Sequence, residues 1–287
     1  MLYAKSGVWW VQPLAASPFT RIQNSSKWSN ATHLGTEYAA LLVDPGFHAP
    51  ATMQQLPAVG GAVAAIAIVP GAKTQPSKTI SFCGYEWRLR DAPSARGGGN
   101  VYDPANIWVD PEGRMHLRIA KTAGDWSCAE ASLTRSLGYG TYSFTVEDTS
   151  SVDPAAVLGM FTFDYSGADE NYHEMAIEVS RWGDPLIKNA QYVVQPYYVA
   201  ANVSRFSLPR ATVTHSFRWE PGAASFRTVK GSKADLALPA IAEHTFTSGI
   251  PTHGIESARM NLYVFRSAKF PMAKTSEVIV DRFEFLP

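Results

Sequence analysis

The sequence contains few cysteines and no excess of charge of either sign. Cys83 and Cys128 are the only cysteines among 287 residues, which is too few for a disulfide scaffold and enough for one bridge at most. The 25 basic residues equal the 25 acidic ones, so the chain lacks the electrostatic footprint of a protein that binds nucleic acid or an anionic membrane. Charged residues make up only 17% of the chain. Neutral, uncharged polymers are therefore the favoured partners.

Long apolar runs are lacking too. The longest, residues 58–69, is interrupted by Gly60 and Gly61 and is followed by Pro70. It is too short and too broken to span a bilayer, and we interpret it as a buried strand. The chain does not open with a basic segment followed by an apolar one. We therefore expect any secretory signal to have been removed or to lie outside this sequence.

Helical periodicity is also nearly absent. Apolar or aromatic stretches of four to eight residues recur between Gly, Pro, Asp and Asn, and 46% of the residues are hydrophobic, which is typical of short strands around a sizeable core. More than ten strands without crossover helices predict an all-β fold, a two-sheet jelly-roll sandwich. Strands are predicted at residues 106–109, 115–119, 129–135, 141–147, 158–163, 175–180, 191–196, 214–220, 225–229, 260–265 and 277–285.

The composition divides the chain into two parts. Residues 1–76 are predicted to form a small β domain of unassigned function, and residues 77–287 the jelly roll. The polar, turn-rich segment 70–78 is the predicted link between them. Within the first domain, strands are predicted in the segments 7–12, 37–43 and 61–69.

Two glutamates stand four residues apart in the strand-like segment 174–180. Successive strand residues point to opposite faces, so Glu174, Ala176 and Glu178 share one face and the apolar residues between them share the other. The Cα atoms of the glutamates are then ~13 Å apart, and leaning side chains can bring the carboxyl groups within the roughly 5 to 5.5 Å typical of retaining glycosidases. The spacing fits a nucleophile and an acid/base, and a solvated strand face with two unrelated glutamates is the alternative.

Several short motifs follow one another in the second domain. They are Asn-Ile-Trp-Val-Asp at 106–110, Leu-Gly-Tyr-Gly-Thr-Tyr at 137–142, Gly-Met-Phe-Thr-Phe at 159–163, the glutamate strand, His-Ser-Phe-Arg-Trp at 215–219 and Val-Asp at 280–281. In this order, the segment from about residue 80 to 287 resembles glycoside hydrolase family 16, whose members are jelly rolls of the concanavalin A-like type.

The resemblance implies roles for the two glutamates. In that family the strand usually reads Glu, apolar, Asp, apolar, Glu, with the first glutamate as nucleophile and the last as acid/base. Glu174 and Glu178 would take these roles in a retaining, endo-acting hydrolase of a β-linked polysaccharide. Ala176 replaces the central aspartate, which predicts a slow enzyme unless Asp164 or Asp169 supplies the missing carboxylate. A catalytically silent, lectin-like jelly roll is the main alternative, and a structural or adhesive surface protein is the third.

Six side chains are candidates for substrate contacts. Aromatic rings can hold sugars by flat apolar contact, and glutamines at i and i+4 of the next strand can bind hydroxyl groups unless they face solvent. An arginine beside the catalytic strand can bind substrate or serve as a structural ion-pair partner. The candidates are Trp182, Phe161, Trp108, Gln191, Gln195 and Arg181.

The resemblance also sets expectations for cofactor, partner and location. No cofactor is required, and a structural calcium ion near the last strand would have Asp281 as a ligand. The expected partner is a polysaccharide or oligosaccharide, with no nucleic acid and no membrane span, and no protein partner can be inferred. An extracellular or cell-surface location is implied by the resemblance.

Overall fold

The chain folds into two compact units, Met1–Gln75 and Pro76–Pro287. The computed structural model describes residues 78–93, 99–122, 124–164, 173–232, 238–266 and 271–287, together with five short strands nearer the amino terminus. No helix among these described residues has the length and apolarity that crossing a membrane demands.

The amino-terminal unit contains two small antiparallel arrangements. Strand β2 pairs with both β1 and β5, and β3 pairs with β4. Strands β2, β4 and β5 fall within the segments predicted from the sequence, whereas β1 and β3 were not predicted. The five strands are β1 (Leu2–Lys5), β2 (Val8–Val11), β3 (Lys27–Asn30), β4 (Ala39–Leu42) and β5 (Ala65–Ala67).

The carboxyl-terminal unit consists of strands and two short 3₁₀ helices, Pro104–Asn106 and Ala200–Asn202. Its strands are β6 (Thr79–Phe82), β7 (Tyr85–Leu89), β8 (Val101–Tyr102), β9 (Ile107–Val109), β10 (Met115–Thr122), β11 (Asp125–Leu133), β12 (Gly140–Val146), β13 (Ala156–Phe163), β14 (Met175–Val179), β15 (Ala190–Val194), β16 (Val203–Phe206), β17 (Val213–Glu220), β18 (Ala223–Lys230), β19 (Ala240–Phe246), β20 (Ser257–Val264) and β21 (Ser276–Leu286).

These strands form two antiparallel layers. The front sheet has the order β16-β15-β14-β13-β20-β11-β7-β6, and the back sheet has the order β9-β10-β21-β12-β17-β18-β19. The β10–β11 hairpin joins the two layers through the pairing of Ala120 with Ser127, and β8 adds a parallel pairing to β11. The predicted all-β, two-sheet sandwich is therefore confirmed.

The core lies between the layers because strand alternation sends every second side chain inward. In β10, Met115, Leu117 and Ile119 are all fully buried, as the sequence pattern predicts. Contacts across the sandwich are aromatic: Trp87 of β7 meets the ring of Phe283 of β21 edge-on, with centroids 5.0 Å apart. Such aromatic pairs add to the hydrophobic stabilisation that their burial provides.

Five strands of this unit, β6, β7, β8, β16 and β19, were not predicted. Strands β6, β16 and β19 lie at the edges of the two sheets, where one side of the strand has no paired neighbour among the described residues. Residues 243–245 of β19, for example, are all exposed. Both cysteines are free, with Cys83 exposed and Cys128 buried, so the single bridge that the sequence permitted is not formed.

Candidate active site

Strand β14 lies inside the front sheet, between β13 and β15, and presents different chemistry on its two faces. Its odd-numbered residues, from Met175 to Val179, are buried in the core. Glu174, Ala176 and Glu178 line a cleft of about 410 Å³ on the opposite, outer face of the sheet. The alternation of the sequence thus places both glutamates on one wall of the same cleft.

Glu178 is held by a chain of polar contacts that crosses two neighbouring strands. Gln191 of β15 donates from Nε2 to Glu178 Oε2 at 2.5 Å, and Arg205 of β16 donates from Nε to Gln191 Oε1 at 2.9 Å. The guanidinium of Arg205 in turn lies 4.8 Å from the ring centre of Trp182. Desolvation raises the pKa of Glu178, against the opposing effects of the Gln191 hydrogen bond and the Arg205 charge. This environment favours a carboxyl group that keeps its proton.

Glu174, immediately before β14, is held in a similar way. Gln195 donates from its side-chain Nε2 to Glu174 Oε1 at 3.1 Å, and its backbone N–H donates to the Glu174 carbonyl at 3.1 Å. The Gln195 side chain is itself fixed, because its Oε1 accepts from the backbone N–H of Tyr197 at 2.8 Å. Gln191 of β15 and Gln195, immediately after that strand, thus orient the two glutamates.

The space between the glutamates is apolar. Ala176, 2% exposed, packs in a small cluster with Phe161, Phe163 and Val193 on the outer face of the front sheet. Asp164 does not line the cleft, and its Oδ2 lies 3.5 Å from His173 Nδ1. The structure therefore does not bring Asp164 to the position of the missing aspartate. Asp169 lies outside the described residues.

The cleft extends from β14 across the sheet along a row of cross-strand residue pairs. Glu178 pairs with Gly159 of β13, Gly159 with Asn261 of β20, and Asn261 with Glu130 of β11. The glycine leaves room for the Asn261 side chain, because a Cβ atom at position 159 would stand 2.5 Å from Asn261 Oδ1. That Oδ1 is buried and has no hydrogen-bond partner among the described residues.

The far end of this row is an ion cluster that was not predicted from the sequence. Glu130, 5% exposed, accepts hydrogen bonds at 3.0 Å from both Arg90 and Arg259. These three residues line the cleft together with Arg266 and Tyr263. The alternation of Arg259, Asn261 and Tyr263 with apolar residues in β20 was the available signal, since it marks a polar outer face.

Of the predicted substrate contacts, Phe161 lines the cleft, and Gln191 and Gln195 hold the glutamates. Trp182 lies just beyond β14, stacked with Arg205, and is not among the side chains that line the cleft.

Trp108 and Arg181 lie elsewhere, contrary to prediction. Trp108 is in β9 of the back sheet, stacked at 4.8 Å on His116, and His116 points away from the core that Met115 and Leu117 enter. Trp108 therefore faces the opposite side of the sandwich from the cleft. Arg181 donates to the carbonyls of Pro185 and Ile187 at 3.0 and 2.6 Å, so it fixes the turn after β14.

The predicted calcium site at Asp281 receives no support from neighbouring ligands. Within the described residues, no group of three or more His, Cys, Asp and Glu side chains is arranged to hold a metal ion. Calcium sites require several oxygen ligands, and Asp281 offers one carboxylate. The calcium ion stays a prediction from the sequence resemblance.

The chain shares its fold with solved β-glucanases. The β-glucanase of Bacillus licheniformis has a TM-score of 0.54 at 18% identity, over 75% of this chain and 100% of its own. A β-1,3-1,4-glucanase (lichenase) derived from a mouse hindgut metagenome has a TM-score of 0.52 at 15% identity, over 69% of this chain and 92% of its own.

A family 16 glycosyl hydrolase from Mycobacterium smegmatis has a TM-score of 0.50 at 14% identity, over 68% of this chain and 89% of its own. No model of a protein family matches the sequence, and no curated protein matches it either. At these identities the likeness shows the fold alone, and the predicted resemblance to glycoside hydrolase family 16 is confirmed at that level.

Proposed function

We propose that the protein is a retaining, endo-acting glycoside hydrolase of a β-linked polysaccharide. The observation that carries this proposal is the common cleft of Glu174 and Glu178, in which the first accepts a hydrogen bond from Gln195, just after β15, and the second from Gln191 of β15. The cleft is lined by residues of β11, β13, β14 and β20, so a polymer can lie across the strands. An extracellular or cell-surface location, where such polymers occur, is part of the proposal.

Glu178 is the proposed acid/base. Desolvation raises its pKa, which favours the protonated form, and the protonated carboxyl group donates its proton to the glycosidic oxygen as the bond to the leaving sugar breaks. Glu174 attacks the anomeric carbon from the opposite face of the ring and forms a glycosyl ester. Glu178, now ionised, removes a proton from a water molecule that cleaves this ester, and the anomeric configuration is retained.

Incubation with a panel of polysaccharides tests the proposal. The panel contains β-1,3-glucan, β-1,3-1,4-glucan, xyloglucan and galactans. Each polymer is tested both in its neutral form and in a form that carries charged groups, and the products are identified by mass. We expect new reducing ends and internal fragments from at least one polymer. Binding without new reducing ends on any polymer would instead indicate the lectin-like alternative.

Gln191 offers a test of the acid/base assignment through pH dependence. Its hydrogen bond lowers the pKa of Glu178, because it stabilises the ionised carboxylate. Gln191→Leu removes that donor, so the pKa of Glu178 should rise. Since a general acid must be protonated, the alkaline limb of the kcat/KM profile should move to higher pH in this variant.

The matched control for this measurement is Gln195→Leu, which makes the same change beside Glu174. It should lower kcat by releasing the nucleophile and leave the alkaline limb in place. An alkaline limb that moves equally in both variants, or in neither, would contradict the assignment of Glu178 as the acid/base.

A further inference from the structure

Three polar side chains of neighbouring strands form one row at Glu178. Glu178 of β14 pairs with Gln191 of β15, and Gln191 pairs with Arg205 of β16, so the three side chains stand on the same face of the front sheet. Gln191 is 4% exposed, and its amide bonds to Glu178 on one side and to Arg205 on the other. Among the described residues, the Gln191 side chain has no other hydrogen-bond partner. Its orientation is therefore set by these two neighbours.

Arg205 gives the row a direction. A guanidinium N–H can only donate a hydrogen bond, whereas an amide side chain has one accepting oxygen and one donating nitrogen. The atom of Gln191 that lies 2.9 Å from Arg205 Nε must therefore be its oxygen, and the amide nitrogen must face Glu178. A reversed amide would set its N–H groups against the N–H of Arg205. The buried amide nitrogen would then have no acceptor, which is costly.

This direction decides which oxygen of Glu178 carries the acidic proton. Gln191 Nε2 donates to Glu178 Oε2, and the oxygen of a protonated carboxyl group that accepts best is its carbonyl oxygen, so the proton lies on Oε1. Among the described residues, Oε1 has no hydrogen-bond partner, and Glu178 lines the cleft. A proton on Oε1 is thus available to a glycosidic oxygen.

Without Arg205 the amide of Gln191 is free to turn round. A protonated Glu178 would then donate to the amide oxygen, and its proton would be held between two side chains instead of being offered to the substrate. We propose that Arg205 is a positioning residue for the general acid: by fixing the amide of Gln191, it keeps the proton of Glu178 on Oε1. This inference rests on the proposed function, since it concerns the acid/base of the same cleft.

Trp182 and the turn after β14 support Arg205 in this role. The guanidinium of Arg205 lies 4.8 Å from the centre of the indole ring, an arrangement that attracts the cation to the ring. Trp182 has a φ of 43°, which is uncommon for a bulky residue, and its backbone N–H donates to Ser180 Oγ at 2.8 Å. Such conformations persist where the surroundings enforce them. The turn thus holds the ring against Arg205, which assigns Trp182 a supporting role behind the acid/base.

Arg205→Met is the main variant, because methionine keeps an unbranched side chain and removes the donor. It should lower kcat/KM for a polysaccharide about tenfold, since the hydrogen bond from Glu178 to the turned amide must break before proton transfer. Each variant is measured at its own pH optimum, because the charge of Arg205 also lowers the pKa of Glu178. Arg218→Met, which changes an exposed arginine of the back sheet paired with Glu220, is the matched control and should leave kcat/KM unchanged.

A change of leaving group separates positioning from a general loss of structure. A dinitrophenyl glycoside loses its aryl group without a proton, so Arg205→Met should change its kcat/KM by less than about twofold. The Gln191→Leu background has no amide to turn, and Arg205→Met should have no further effect there. Equal losses on both kinds of substrate, or in both backgrounds, would show that Arg205 acts by another route and would overturn the inference.

Neutron diffraction of deuterated crystals tests the inference whether or not any polymer is cleaved. Native and Arg205→Met crystals are compared below and above the pH at which Glu178 titrates. In the native protein the amide nitrogen of Gln191 should face Glu178 at both pH values, with the deuteron on Oε1 at the lower one. In Arg205→Met the amide should reverse at the lower pH alone, because the ionised carboxylate needs a donor.

The outcomes distinguish this inference from the proposed hydrolase. The titratable side chains that line the cleft beside Glu178, Glu174 and Tyr263, do not hydrogen bond to Gln191, so their titration does not turn its amide. A deuteron on Oε2 in the native protein, or one amide orientation at both pH values in Arg205→Met, would overturn the role of Arg205 and leave the hydrolase standing. The expected orientations without cleavage of any substrate would overturn the hydrolase and leave the control of Glu178 by Arg205.

Discussion

Glu174→Ala and Glu178→Ala should each lower kcat on a natural polysaccharide by a factor of about a thousand or more. The expectation follows from the two steps that each carboxyl group carries, because loss of a nucleophile or of a general acid raises the barrier by roughly 4 kcal/mol or more. Both side chains line one cleft and neither belongs to the core cluster. Thermal unfolding of the two variants should therefore resemble that of the native protein.

Added azide distinguishes the two roles. With an activated aryl glycoside, Glu174→Ala leaves space for azide to attack the anomeric carbon directly, so the product should be a glycosyl azide of inverted configuration. With Glu178→Ala the glycosyl ester still forms, and azide attacks it without the need for a base, so the azide product should retain the configuration. Nuclear magnetic resonance of the anomeric proton identifies the products.

The control for both variants is Glu220→Ala, since Glu220 is an exposed glutamate on the back sheet. It should keep full activity and give no azide product. Activity of Glu174→Ala within about tenfold of the native rate would show that a group other than Glu174 attacks the sugar. The same stereochemistry from both azide reactions would contradict the division of roles.

The part of the site that could be predicted from the sequence is local. Alternation along β14 fixes which side chains share a face, so Glu174 and Glu178 could be assigned to one wall from the sequence alone. The same reasoning placed Gln191 and Gln195 on one face of the next strand, where they do bond to the glutamates. Strands β14 and β15 follow one another in the chain and pair directly, so the face of one strand indicates the face of the other.

The errors and omissions arise where distant strands meet. Trp108 was assigned to the cleft because it resembles a sugar-binding aromatic residue, yet β9 pairs with β10 in the back sheet. Glu130 and Arg259 come together only because β11 pairs with β20, more than a hundred residues away in the chain. Periodicity gives the face of a strand and does not give its sheet or its partner. A cluster of residues from distant segments therefore cannot be predicted until the strand pairing is known.

Ala176→Asp is expected to increase hydrolysis about tenfold or more while lowering the stability of the fold. A carboxylate at this position lies about 6.6 Å along the strand from each glutamate, where it can orient Glu174 and raise the pKa of Glu178 further by like-charge repulsion. A gain of roughly 1.4 kcal/mol or more in barrier stabilisation corresponds to that factor. The cost arises because Ala176 is packed against Phe161, Phe163 and Val193, and burial of a polar group without full hydrogen bonding costs about 1 to 3 kcal/mol.

Ala176→Asn separates the two effects, because asparagine has the size and polarity of aspartate without the charge. It should lower the free energy of unfolding by a similar amount. It should leave kcat near the native value, because a neutral amide does not repel the ionised form of Glu178. Chemical denaturation measures the stability of both variants and the polysaccharide assay measures their rates. A rate for Ala176→Asp equal to or below that of Ala176→Asn would mean that the apolar cluster around position 176 now sets the geometry of the glutamates. In that case the missing aspartate would not limit the reaction, and the orientation of Glu174 would depend on Gln195 alone.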